Sequence, residues 1–280
     1  MKVTSHALHR AADELRFRGP LAFLRAAWYI AASRLGKRTF RVSLPWCTIT
    51  VPGNSRKLGV GGYIFSQRGK YEEDLQSYFD DCNGAFIDVG ANIGYWTCYV
   101  AGRAQLRPGR VTAIVAFEPQ ESIFKLLRSN LDNIAGRLAV PIRAEHVALG
   151  ERSGAVEAVA TNNDHGSTYM VLTDHGGIRQ ETLDHFVESL RLEKIGLIKV
   201  DVEGYEYDVL AGGAETLRRF GPTVLCELVE SHQKRNGRTA QEVFRLLLNL
   251  GYRGARIESD GKLMPSGEFN GDGNYLFCTV

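Results

Sequence analysis

The sequence predicts an α/β protein built on a mainly parallel, doubly wound sheet. From residue 85 onward, apolar segments of strand length alternate with segments whose apolar residues recur with a helical period. The strand segments are nearly all apolar, as expected of strands that helices cover on both faces. A chain of 280 residues, 44% hydrophobic and 24% charged, can bury a large core in such a domain.

A helical and hairpin extension precedes this repeating part. Residues 5–36 are predicted as one or two helices, broken by a glycine-proline pair. Residues 39–53 alternate apolar and polar side chains, which predicts a hairpin. We therefore predict two domains, an N-terminal extension over residues 1–60 and a main domain over residues 61–280.

The elements of the main domain follow in regular order. The predicted strands cover residues 85–90, 110–119, 140–150, 154–161, 195–204, 222–230, 252–259 and 274–280. The predicted helices start near Gly94 and cover residues 121–134, 182–193, 205–220 and 240–251.

Charge is unevenly distributed along the chain. The formal net charge is +2, but residues 1–45 carry nine Lys/Arg and two acids, which leaves the rest at −5. This balance argues against a nucleic-acid partner for the main domain.

In the extension one predicted helix face is apolar, formed by Leu21, Leu24, Trp28, Ala31 and Leu35. That face lies either on an anionic membrane or partner, or against the main domain or a dimer mate.

Cysteine usage and hydropathy suggest where the chain works. Five cysteines form no CxxC pair and no disulfide pattern, which favours a reducing compartment. The apolar run at residues 21–32 is short and interrupted by Arg25, so it does not predict a membrane span. We expect a cytoplasmic protein, peripheral to the inner face of the membrane if the basic extension binds lipid.

A glycine turn follows the first strand of the main domain. It reads Asp88-Val-Gly90-Ala-Asn92-Ile-Gly94, with Thr97 one turn into the next helix. A dinucleotide loop would need a glycine in place of Asn92, and a Walker loop would need Gly-Lys-Ser/Thr. A carboxylate at Asp88 disfavours a pyrophosphate and favours an α-ammonium group. We assign these five residues to cofactor binding.

A second acid completes the cofactor prediction. Glu118 ends the next strand, where a carboxylate accepts both hydroxyls of a ribose. A ligand with an amino-acid end, a ribose and no phosphate is S-adenosylmethionine. Pro119 lies beside this acid, and the end of the third strand, with His146 and Ala148, is expected to border the adenine.

These motifs carry a family resemblance. The segments "FIDVGANIGYWT", "AFEPQESIFKLLRSNL", "HVALGERSG", "ETLDHF", "IKVDVEGYEYDVLAGG" and "PTVLCELVE" resemble the FkbM family of S-adenosylmethionine-dependent methyltransferases over residues 84–255. The resemblance implies a Rossmann-like class I methyltransferase sheet of seven strands, the last one antiparallel. It also implies O-methylation of a hydroxyl on a sugar, glycolipid or polyketide-type product. The family's polar run near Gly-Asn-Ser-Ser reads Gly166-Ser167-Thr168 here, flanked by His165 and His175.

Acids cluster at the end of the fourth predicted strand. Asp201, Glu203 and Glu206 lie within six residues, and Lys199 alternates with Asp201 along the strand, so it is expected to pair with a neighbouring acid. Because an alcohol is a very weak acid, methyl transfer to it needs a base or a metal. In one mechanism Asp201 or His232 is the general base.

In the other mechanism carboxylates hold Mg²⁺, which acidifies the bound hydroxyl. The candidate ligands are Asp201 with Glu203, Glu227 or Glu230. Glu227 is also a catalytic candidate, because it is an acid inside an apolar strand.

Three rival functions remain to be weighed. A nicotinamide-dependent oxidoreductase is disfavoured by Asn92 in the turn. A methyltransferase acting on nucleic acid would have an Asn-Pro-Pro-Tyr-type turn where "DVEG" stands, and N-methylation of another acceptor stays open. The third rival is a non-catalytic scaffold that has kept the fold. The oligomeric state, including a homodimer, is also open.

Overall fold

The computed structural model describes residues 19–54, 58–135, 140–160, 168–173 and 177–279. The chain divides into two compact units between Glu73 and Asp74. Whether residues 1–60 form a functional domain of their own stays a prediction. The start of the predicted N-terminal helices and the polar loop with its two histidines, His165 and His175, lie outside the described residues.

The first unit contains the predicted helix and hairpin. Its elements are α1 (Pro20–Arg34), β1 (Thr39–Ser43), β2 (Thr48–Pro52) and α2 (Gly59–Gln67). Proline at the start of α1 fits a position that needs no backbone donor. The hairpin strands alternate inward and outward residues and pair antiparallel, as predicted. The Tyr29 hydroxyl donates to the Pro52 carbonyl at 2.5 Å, which ties α1 to the hairpin.

The second unit is built on one long sheet. Its strands are β3 (Gly84–Val89), β4 (Val111–Phe117), β5 (Ile142–Glu145), β10 (Ile195–Val200), β11 (Thr223–Leu228), β12 (Tyr252–Ile257), β13 (Leu263–Ser266) and β14 (Gly273–Thr279). In the described residues the strand order is β13-β12-β14-β11-β10-β3-β4-β5. The pairs from β11 to β5 are parallel, and the last strand, β14, runs antiparallel between β11 and β12. The predicted seven-stranded class I sheet is confirmed, and β13 adds an exposed edge strand.

Helices cover the sheet. They are α3 (Gln76–Asp80), α4 (Tyr95–Leu106), α5 (Glu121–Ala135), α6 (Leu183–Leu190), α7 (Glu206–Ala211), α8 (Ala214–Phe220), α9 (Glu230–Arg235) and α10 (Ala240–Asn249). Every residue of β3 is buried, as expected of a central strand covered on both faces. The single helix predicted over residues 205–220 is two helices, separated by Gly212 and Gly213. Gly212 lies against the Gly150 carbonyl, where a Cβ would come within 2.0 Å. The short α9 was not predicted.

A smaller sheet is inserted between β5 and β10. It orders β6 (Ala148–Leu149), β9 (Ile178–Glu181), β7 (Gly154–Ala160) and β8 (Thr168–Leu172) as β6-β9-β7-β8. The predicted third strand over residues 140–150 is therefore two strands in two sheets. The predicted strand over residues 154–161 is confirmed as β7, whereas β8 and β9 were missed.

None of the described helices is long and apolar enough to cross a membrane.

Candidate active site

The turn after β3 has an unusual backbone. Gly90, Asn92 and Gly94 have φ angles of 77°, 51° and 85°. The N–H groups of Gly90 and Ala91 both donate to the Phe117 carbonyl, at 3.1 and 2.9 Å, which joins the turn to the end of β4. Glycine and asparagine are the residues that adopt such angles at least cost. The turn is therefore set by local sequence.

The two glycines make room for protein atoms. A Cβ on Gly90 would lie 1.9 Å from the Asp201 carbonyl oxygen, and one on Gly94 would lie 2.7 Å from Leu127. The space at Gly90 is taken up by the loop after β10, and the space at Gly94 by a side chain of α5.

Asp88 is a buried carboxylate under the turn. The Thr97 hydroxyl donates to its Oδ2 at 2.6 Å, and Lys199 Nζ lies 3.9 Å from its Oδ1. Burial raises the pKa of Asp88, while Lys199 and the Thr97 hydrogen bond oppose the rise. Among the described residues, Oδ1 has no hydrogen-bond partner. Asp88 and Thr97, both assigned to the cofactor, are thus brought together, with acceptor capacity unused at Oδ1.

Glu118 connects the ends of β3 and β4. Its Oε2 accepts from the Asn92 N–H at 3.0 Å, and its Oε1 accepts from the Gln120 N–H at 2.9 Å. Burial raises the pKa of Glu118 to about 7, against these hydrogen bonds and Lys199, which lower it. A carboxylate offers about four lone-pair sites, so each oxygen retains one for a vicinal diol.

The remaining cofactor candidates divide into two groups. His146 is exposed, and its Nε2 lies 2.9 Å from the Pro119 carbonyl, so this nitrogen is the donor. Its ring stacks on Phe124 with centroids 5.0 Å apart. These residues form an open surface one residue from Glu118. Ala148, in contrast, is buried in β6.

The loop after β10 presents Asp201. Its N–H donates to the Val89 carbonyl at 3.1 Å, and its Oδ2 accepts from Lys199 Nζ at 3.0 Å. The expected pairing of Lys199 with a neighbouring acid is confirmed. Lys199 is buried, and its ammonium lies between Asp88 and Asp201. Its positive charge therefore offsets the negative charge of both carboxylates.

Glu203 and His232 form a second pair on this side. Glu203 has a φ of 57°, and its Oε2 lies 3.1 Å from His232 Nδ1. Burial, together with Arg235, lowers the pKa of His232, although Asp201 raises it. The imidazole is therefore neutral at pH 7. Of the two ring nitrogens, Nδ1 is the one next to the carboxylate.

Glu206 fixes the shape of this loop. It is 2% exposed, and its Oε1 accepts from the N–H groups of Val202 at 3.0 Å and Gly204 at 3.2 Å. Its Oε2 accepts from the side-chain amide of Gln233 on α9. Burial raises the pKa of Glu206 to about 7. The sequence showed an acid at a helix start but gave no sign of Gln233 as its partner.

A further bond strengthens this connection. Asn236 Nδ2 donates to the Gly204 carbonyl at 2.9 Å. Since Gln233, Asn236 and His232 all lie on or next to α9, this helix, which was not predicted, positions the loop after β10.

The predicted metal ligands do not come together as one cluster in the described residues. Asp201 pairs with Lys199 and Glu203 with His232, while Glu227 is half-buried on β11. Glu230 accepts from the Ala240 N–H at 2.9 Å and so anchors α10. Within the described part of the chain, no group of three or more His, Cys, Asp or Glu side chains is arranged to hold a metal ion.

The chain is similar in sequence to known methyltransferases. Residues 88–253 match the family described as Methyltransferase FkbM domain. The hexuronic acid methyltransferase AglP of Haloferax volcanii is 32% identical over 133 residues, covering 47% of this chain and 50% of that one. The 2-O-methyltransferase NoeI of Sinorhizobium fredii is 28% identical over 169 residues, covering 54% and 65%. The chain thus spans less than two thirds of either relative.

Among solved structures, a methyltransferase FkbM from Methylobacillus flagellatus aligns with a TM-score of 0.44 at 17% identity, covering 70% of this chain and 43% of that one. The family match includes the turn after β3, Glu118, the loop that follows β10, and the strand β11. The chain belongs to the FkbM methyltransferase family.

Proposed function

We propose that this protein is an O-methyltransferase that uses S-adenosylmethionine to methylate a hydroxyl of a sugar or glycan. One observation carries the proposal. His232, a neutral imidazole, has its Nδ1 3.1 Å from a carboxylate oxygen of Glu203. Glu203 lies in the loop after β10, which approaches the turn after β3 where Asp201 meets Gly90, and His232 reaches it from α9.

The donor side fits S-adenosylmethionine. Glu118 retains two acceptor sites for the ribose hydroxyls, and the Phe124–His146 surface next to Pro119 is suited to border the adenine. The turn from Asp88 to Gly94 is assigned to the methionine end. When bound, this cofactor supplies an electrophilic methyl group on a sulfonium sulfur.

On the acceptor side the chain's task is to remove one proton. His232 Nε2 accepts the hydroxyl proton, and Glu203 stabilises the imidazolium at Nδ1. Asp201 is 38% exposed at its side chain and is held by Lys199, which suits it to bind an acceptor hydroxyl. A positioned base of this kind contributes about 10²–10⁴-fold to rate.

The acceptor class is proposed from two directions. The names of AglP and NoeI specify a hexuronic acid and a 2-O-position. The acceptor side here offers carboxylates and an imidazole, groups that bind hydroxyls. A sugar hydroxyl accords with both.

The experiment is methyl transfer from S-adenosylmethionine carrying a deuterated methyl group to a panel of uronic acids and oligosaccharides, followed by mass spectrometry. We expect a labelled ether on oxygen, formed equally well after dialysis against a chelator. Label on nitrogen would overturn O-methylation, and activity lost with the chelator and restored by Mg²⁺ would favour the metal mechanism.

Calorimetry should show binding of S-adenosylhomocysteine. Binding of NADH alone would establish the oxidoreductase instead.

A further inference from the structure

Helix α1 has apolar residues on two opposite faces. The inward face consists of Ala22, Ala26 and Tyr29, which are buried within the first unit. The outward face carries Leu21, Leu24 and Trp28, spaced three and four residues apart, and Leu35 follows at the helix end. These four side chains are 65%, 61%, 51% and 90% exposed, respectively. Packing of the first unit accounts for the inward face and for one side of the Trp28 ring, which stacks on Phe65 with centroids 5.5 Å apart. It leaves the three leucines of the outward face unexplained. We call the four residues the outer stripe.

The sequence that contains the outer stripe carries charges of one sign. Residues 15–71 contain eleven Lys/Arg and no Asp or Glu. Among the described cations, Arg38 and Arg41 are exposed, and Lys37 lies over the Trp28 ring at 5.1 Å. A surface that combines cations with aliphatic leucines and a tryptophan matches the interface of an anionic bilayer.

The same features weigh against other occupants. A second copy of the chain would bring two strongly basic segments together, because residues 15–71 contain no acid, and like-charge repulsion opposes this. A nucleic acid would use the cations but has no use for exposed leucines, because its bases stack on aromatic rings.

We propose that the outer stripe and its surrounding cations dock the protein on an anionic lipid surface. Aliphatic side chains enter the acyl boundary, and Arg38 and Arg41 lie at the level of the headgroups. The interaction is peripheral, since no described helix can span a membrane. It is independent of methyl transfer, so it can hold or fail whatever the reaction is.

The test uses the full chain and vesicles of phosphatidylglycerol mixed with phosphatidylcholine. We expect sedimentation with these vesicles, little with phosphatidylcholine alone, and release as NaCl rises from about 0.05 to about 0.5 M. Because Trp28 is half-exposed, binding should also shift its fluorescence to the blue, and Trp28→Phe should remove that shift.

Two pairs of variants locate the surface. Leu24→Ser with Leu35→Ser should weaken vesicle binding at least about tenfold, whereas Leu106→Ser, an equally exposed leucine of the second unit, should not. Arg38→Glu with Arg41→Glu should abolish binding, whereas Arg245→Glu with Arg253→Glu, the same charge change elsewhere, should not. Circular dichroism of each variant checks folding.

Three results would overturn the proposal. One is equal binding by the stripe variants and their controls. A second is self-association that Leu24→Ser with Leu35→Ser disrupts, without vesicle binding, since this assigns the stripe to a dimer. The third is binding to RNA or DNA but not to vesicles.

Discussion

Two regions at the carboxyl edge of the sheet hold their acids in different ways: the ends of β3 and β4, and the loop after β10. On the donor side, Asp88 and Glu118 are buried and accept from a hydroxyl and from backbone N–H groups. On the acceptor side, Asp201 and Glu203 are partly exposed and pair with Lys199 and His232. Fixed, buried carboxylates suit the parts of a ligand that the reaction leaves unchanged, such as a ribose or an α-ammonium group. Partly exposed pairs suit a site where a proton must move and an acceptor must enter.

The largest effect is expected from a substitution that impairs the acceptor side alone. His232→Asn should lower kcat by about 10²–10⁴-fold, because the base is lost. Affinity for S-adenosylhomocysteine, measured by calorimetry, should not change. The control is His185→Asn, which alters an exposed histidine on α6. A loss of affinity as large as the loss of rate would mean that His232 also contributes to cofactor binding, so the two functions are not separate.

The next change breaks the contact between the loops. Gly90→Ala places a Cβ 1.9 Å from the Asp201 carbonyl at a φ of 77°, and should cost at least about 3 kcal/mol in the free energy of unfolding. Gly109→Ala is the matched control, with a φ of 83° but no atom within 4 Å, and should cost about 1 kcal/mol. Urea unfolding measures both. Equal costs would show that backbone angle alone selects glycine at residue 90.

The buried Glu206 should make stability depend on pH. Its folded-state pKa of about 7 lies above the ordinary value of 4.5, so the native state binds more protons between these values. The stability that this group contributes is therefore lost as pH rises through that window, by about 3 kcal/mol.

The variant Glu206→Gln isolates this effect. An amide keeps the bonds from Val202 and Gly204. Gln233 Oε1 has no hydrogen-bond partner among the described residues, so it can turn toward the new amide. Relative to this variant, the wild type should lose stability on going from pH 4.5 to pH 7 in denaturant titrations. The exposed Glu188→Gln controls for removal of one carboxylate. Parallel curves for wild type and Glu206→Gln would contradict the assignment.

The smallest effect is expected on the donor side. Glu118→Gln should weaken binding of S-adenosylhomocysteine about tenfold to a hundredfold, since charge-assisted hydrogen bonds contribute about 1.5–3 kcal/mol. Glu121→Gln alters an exposed acid paired with Lys125 and should leave affinity unchanged. Calorimetry compares the two. Unchanged affinity in Glu118→Gln would remove this residue from the ribose site.

The difference between the loops also explains what the sequence could predict. The donor turn is specified locally, because Gly90, Asn92 and Gly94 need positive φ angles and Glu118 ends the adjacent strand. Strand and helix periodicity likewise predicts the main sheet.

The acceptor side depends on contacts between distant residues. Gln233 meets Glu206 across 27 positions and Asn236 meets Gly204 across 32, and neither pair has a local signature. The strand β9 was missed for a related reason. Its residues Ile178–Glu181 are mostly polar, and they form a strand by pairing with β6 and β7.

The pH dependence of single-turnover methyl transfer tests the central claim most directly, with wild type and His232→Asn compared at saturating acceptor and donor. In the wild type the rate should fall as pH drops through the pKa of His232, which lies below its ordinary value of 6.5, because the base becomes protonated. The variant should be slow at every pH and should lack this decline. A variant that keeps the decline would show that another group, such as Asp201, removes the proton.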